Sequence, residues 1–197
     1  MIDLMRSRLL FALVVSVTLA MVVACTGEPG PPGPAGPAGP AGESADTADQ
    51  AELLLLIQGM AATAPYLDEA KAIEAGYAPT DECISSPAGA MGLHYVNLDL
   101  VTDRIVDASK PEVLLYIPTE NGPKLVGFEY VAAIGPPGAP VPAPAPPAPE
   151  VGGRTFNGPM EGHNPSMPPH FDLHIWGWVP NPDGLFEDFN PALSCPE

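Results

Sequence analysis

Glycine falls at every third position from Gly27 to Gly42: Gly-Glu-Pro, Gly-Pro-Pro, three Gly-Pro-Ala triplets, then a unit that has lost its proline. Such a tract cannot enter a helix or a sheet, because proline lacks an amide donor and glycine has no side chain to bury. The period is that of collagen, whose three-chain axis admits only glycine. Five triplets, without hydroxyproline, offer too few interchain hydrogen bonds to offset the ordering entropy of three chains. The tract is therefore expected to form a semi-rigid polyproline II stalk, roughly 45–50 Å long. Trimerisation through the stalk is the less favoured reading. Any core must come from residues 44–197.

The segment before the tract gives an address. Arg6 and Arg8 precede an uncharged run, Leu9 to Ala24, which is shorter than the roughly 20 residues of a membrane-spanning helix and matches a signal peptide. Val22-Val23-Ala24-Cys25 resembles the bacterial lipobox, in which cleavage leaves an acylated cysteine at the new N-terminus. At about 0.8 kcal/mol per buried methylene, two or three acyl chains anchor a protein stably. The expected organisation is a signal peptide over 1–24, a lipid-anchored stalk over 25–43 and a globular domain over 44–197. Its expected place is the extracytoplasmic side of a bacterial cell envelope, held to the membrane by the lipid on Cys25. Cys83 and Cys195 remain, an even pair in an exported chain, and are expected to form a disulfide. With 7 basic against 24 acidic residues and a net charge of −17, the chain repels phosphate backbones, and nucleic acid is excluded as a partner.

The reading for 44–197 is an α+β fold: one domain with an antiparallel β-sheet packed against N-terminal helices. Asp46 and Thr47 cap a helix running to about Ala62, whose Leu53–Ile57 run has little polar face and is expected to be buried against the sheet. Tyr66, Ala70, Ile73 and Tyr77 mark a second helix ending at Gly76. Strands begin at Met91, and Glu112–Ile117 with Leu125–Val131 form a hairpin around Asn121-Gly122-Pro123. Residues 135–150, almost purely Pro, Ala, Gly and Val, read as an exposed proline-rich insertion acting as a spacer.

The stretch that carries chemistry is His170-Phe171-Asp172-Leu173-His174-Ile175-Trp176-Gly177-Trp178. Strict alternation makes it a strand rather than a helix with histidines one turn apart. His170, Asp172, His174, Trp176 and Trp178 then project from one side, while Phe171, Leu173, Ile175 and Val179 enter the core. Same-side neighbours stand about 6.5–7 Å apart, so Asp172 can share a cation with either histidine. His170 and His174, about 13 Å apart, cannot. A neighbouring strand that brought His94 alongside would complete a His94, Asp172, His174 set suited to a divalent transition metal. Met91, Met160 and Met167, near three histidines in sequence, would tilt the choice toward copper. A metal-free aromatic and polar groove, or a structural polar layer, are the competing readings. His163 reads as a loop residue, and Glu112 and Glu129 as residues of exposed strand faces. The sequence holds no Gly-x-Ser-x-Gly elbow, phosphate-cradling loop or dinucleotide fingerprint.

Ile73–Tyr77, Cys83, Gly89–Asn97, Pro111–Tyr116, Leu125–Tyr130, His170–Trp176, Asn181-Pro182, Phe186, Asn190-Pro191 and Cys195 together resemble a family of uncharacterised exported bacterial proteins. The resemblance implies export and carries no activity with it. The expected function is therefore a membrane-anchored extracytoplasmic binding module using a His/Asp/Trp face, with a divalent transition metal as the cofactor it would hold. The alternatives are a metal-dependent enzyme, with His94, Asp172 and His174 as ligands and Glu129 or Glu112 as base, or a structural envelope protein.

Overall fold

The computed structural model describes residues 47–163 and 165–196. The signal peptide, Cys25 and the Gly-X-Y tract lie outside them. No helix among the described residues is long and apolar enough to cross a membrane.

Helix α1 (Thr47–Thr63) meets the sheet through Leu55, Leu56, Gly59 and Met60. Gly59 permits the approach, since a Cβ there would stand 2.3 Å from the Phe128 ring. The expectation that the whole Leu53–Ile57 run is buried fails. Leu55 is 1 % exposed, but Leu53, Leu54 and Ile57 are 56 %, 59 % and 52 % exposed. Five consecutive residues on a helix point in every direction, and the sheet covers Leu55 fully and Leu56 in part. The expected second helix is broken as well. A 3-10 turn, Ala64–Leu67, is followed by the short helix α2 (Glu69–Glu74), because Asp68 is extended and caps α2 by accepting from the Ala70 amide at 3.2 Å.

Six strands form one curled antiparallel sheet in the order β1-β2-β3-β4-β8-β7. They are β1 (Ala78–Ser86), β2 (Gly89–Val96), β3 (Val113–Ile117), β4 (Lys124–Ala133), β7 (Asn157–Met160) and β8 (His170–Ile175). Helix α3 (Leu98–Asp103) bridges β2 and β3, and the small hairpin β5 (Glu150–Val151) and β6 (Arg154–Thr155) stands apart from the sheet. The α+β reading holds, as does the β3–β4 hairpin. β1 and α3 were not legible. β1 is a mostly exposed edge strand with register shifts, which erase alternation. α3 is a six-residue helix held by Asn97, whose side chain accepts from the Leu100 amide. Residues 135–149 form neither helix nor strand.

The sheet is covered on both sides. Leu114, Tyr116, Phe128, Tyr130, Phe171, Leu173 and Ile175 pack with Leu55 of α1 and Ala72 of α2. On the opposite face Val113, Leu115, Val131 and Trp176 pack with Val101 of α3, and with Leu193 and Cys195 near the end of the chain. Cys195 is bonded to Cys83 of β1 across 112 positions, as expected.

Candidate metal centre

Alternation along β8 sends Phe171, Leu173 and Ile175 into the core on the helix side. It therefore turns His170, Asp172 and His174 to the opposite face, and all six β8 residues are buried. The alternation stops where the strand stops. The Gly177 amide donates to the Ile175 carbonyl at 3.0 Å, and this tight turn carries Trp178 back to the helix side. There its indole donates to Thr63 Oγ1 at 3.0 Å. Trp178 thus does not share a face with the histidines, and Val179 joins the other core cluster. Trp176 stays on the histidine side but is 3 % exposed, and its Nε1 donates to the Glu187 carbonyl at 2.6 Å. It anchors the C-terminal segment and walls no open groove.

His174 lies opposite Glu129 in the β4–β8 register. His94 comes from β2, two strands beyond β4, and pairs with Leu115 of the intervening β3. In a flat sheet, β2 and β8 would be about 14 Å apart. Their two imidazole centroids are 6.2 Å apart, with the rings nearly perpendicular. Curl of the sheet and inward lean of the side chains close the difference. Glu129 Oε2 stands between the rings, 3.6 Å from His94 Nε2 and 3.8 Å from His174 Nε2.

The polar atoms of this cluster are unsatisfied. Glu129 Oε2 and both ring nitrogens of His174 are buried without a hydrogen-bond partner among the described residues. Burial drives the charge out of the group: it lowers His94 to about 3 and His174 to about 4, and the neighbouring imidazoles add to the effect. Burial likewise holds the Glu129 carboxyl well above the usual range, with Asp172 next in effect. At neutral pH both imidazoles are therefore uncharged, and their close contacts with Glu129 are not ion pairs. Leaving such groups buried and unpaired costs about 1–3 kcal/mol each. The site opens at one edge, where the His94 side chain is 18 % exposed.

His174 also has a second side. Its Nδ1 lies 3.6 Å from Asp188 Oδ1, and Asp172, Asp188 and His174 bring one ligand atom each within 4.8 Å of one another. Asp172 is buried, its Oδ1 has no partner, and burial followed by Asp188 pushes its carboxyl up to about 7. Asp188 is half-exposed and accepts from Asn157 Nδ2 at 3.0 Å. At 3.6 Å Asp188 makes no hydrogen bond to Nδ1; an acid closing on that atom would orient the imidazole, fix its tautomer and leave Nε2 to ligate. The expected trio is thus rearranged around His174. Glu129 lies against Nε2 with His94 on its other side, Asp188 lies against Nδ1, and Asp172 belongs to the Asp188 group.

Glu112 and Glu129 are not on exposed faces; they are 1 % and 3 % exposed. Glu112 Oε2 accepts from the Val131 amide at 2.9 Å and serves the backbone. Glu129 is the candidate ligand that the sequence suggests lies on an exposed strand face. Its signal was a lone carboxylate inside the apolar run Leu125–Val131. His170 is not brought into the cluster. Its Nδ1 lies 2.9 Å from the Pro168 carbonyl and its ring meets that of His163 edge-on at 5.3 Å. A separate open cleft, lined in part by Tyr66, Tyr77, Asn97 and Lys110, shares no residue with the histidine set.

Two imidazoles and a carboxylate are a common donor set for divalent transition metals. Bonds of 2.0–2.1 Å in a tetrahedral site put donors about 3.3 Å apart. Glu129 Oε2 already stands 3.6 and 3.8 Å from the two Nε2 atoms, and the ligand atoms of His94, Glu129 and His174 lie within 4.8 Å of one another. No family model, functionally described protein or solved structure matches this chain.

Proposed function

We propose that this chain is a lipid-anchored extracytoplasmic module that binds a divalent transition metal through His94 Nε2, Glu129 Oε2 and His174 Nε2. The observation that carries the reading is the convergence of three ligand atoms, two of them buried without a hydrogen-bond partner, from strands β2, β4 and β8. A cation would satisfy those atoms together, and its affinity would depend on pH through the ligands' protons. Asp172 and Asp188 would hold His174 from behind. The anchoring part rests on the Val22–Cys25 motif and predicts that palmitate labelling of the cells is lost from a Cys25→Ser chain.

The test of the metal is direct. The full chain, dialysed against zinc or cobalt(II), is expected to retain one ion, with cobalt giving the visible bands of a low-symmetry nitrogen and oxygen site. Glu129→Gln and His174→Ala should each weaken retention by 100-fold or more while the far-ultraviolet spectrum stays unchanged. A wild-type chain that retains no metal overturns the proposal. The exposed edge at His94 supports a second reading, a metal-dependent enzyme, since three protein donors leave a position that solvent or substrate can reach. Turnover by the metal-loaded chain, lost together with the ion in Glu129→Gln, would favour it.

A further inference from the structure

α1 presents a second, largely apolar face to solvent. Gln50, Leu53, Leu54, Ile57, Gln58 and Ala61 are all exposed, and they recur along one side of the helix. Gln50, Leu54, Ile57 and Ala61 step by four, three and four residues, the spacing of a coiled-coil seam. Leu54 and Ile57 then occupy an a and the following d position. Leucine at a with isoleucine at d favours three or four strands over two.

The chain ahead of the helix says which. The Gly-X-Y tract ends at Gly42, and only residues 43–46 separate it from Thr47. Glycine at every third position serves an axis shared by three chains. Five triplets are too few to hold three chains alone, and a helical seam directly after them supplies the missing apolar burial. Each element compensates for what the other lacks. The seam is also short, about one and a half heptads, and isolated helices of that length are marginal. α1, however, is already fixed by its sheet-facing side, through Leu55 and by the ion pair between Glu52 and Arg154 at 3.2 Å.

We infer that the apolar stripe of α1 packs against the same stripe of two further copies of this chain, so that the Gly-X-Y tract and the helix together make a trimer. The seam lies on the side of α1 turned away from the sheet, so trimerisation leaves His94, Glu129 and His174 untouched. The inference is independent of metal binding.

The full chain, purified in detergent, is weighed by sedimentation equilibrium with the detergent matched to solvent density. A mass of three chains is expected. The Leu54→Glu/Ile57→Glu double variant should fall to one chain while keeping the thermal transition and metal content of the wild type. Leu54→Gln/Ile57→Gln gives the same readout without added charge, should the glutamates disturb α1. A wild type that weighs one, two or four chains overturns the inference, including a single chain whose α1 is taken up by the micelle. A trimer that persists in both double variants overturns it too, because the tract would then act without the helix.

Discussion

Glu112 shows how a buried carboxyl can serve structure rather than chemistry. Burial first, then Asp103 and Asp107, push it up to about 8 against the pull of its hydrogen bond from Val131. The folded chain therefore keeps a proton that the unfolded chain releases near 4.5. Its contribution to stability is full below that value and is lost as pH rises through about 8. Glu112→Gln, neutral at every pH, should be more stable than the wild type at pH 8–9 by on the order of 2–4 kcal/mol and should lose that advantage at pH 4. Urea titrations at the two pH values measure the difference. At this scale the sequence was half legible. His94 and His174 stood out because imidazoles are rare in this chain, with four in all. Glu129 did not, since a glutamate on a strand is usually solvated and nothing local shows that both sheet faces are covered.

Among the elements, the β4–β8 pair sets the distance between Glu129 and His174. Gly127 lets the two strands close, because a Cβ there would stand 2.7 Å from the Ile175 carbonyl and 3.3 Å from Leu115 Cδ1. Gly127→Ala should cost about 1–3 kcal/mol and displace β8. Cobalt affinity should fall with it. β2 and β8 were legible from alternation, and β3 and β4 from two apolar runs joined by a turn at Asn121-Gly122-Pro123. β1 was not, because an edge strand needs no apolar side, and the Trp178 side was misassigned because alternation carries no mark of where a strand ends.

For the whole molecule, the Cys83–Cys195 bond encloses every residue of the metal set within one loop of 112 positions. In the chain-entropy account such a loop is worth roughly 4–5 kcal/mol. A Cys83→Ser/Cys195→Ser chain should lose about that much by denaturant titration. The loss should reach the C-terminal segment that carries Asp188 and receives the Trp176 indole hydrogen bond. What no sequence pattern could reveal was the meeting of β2 with β8, since strand order and curl are settled by packing on both faces at once.

The curl itself has a consequence. A sheet resists stretching along its strands and yields most easily to bending across them. The gap between His94 and His174 spans three strand steps in that softest direction. An ion gripped there would act as a clasp on the bend, so its arrival should slow amide exchange across β2, β3, β4 and β8 together, including positions far from any donor atom.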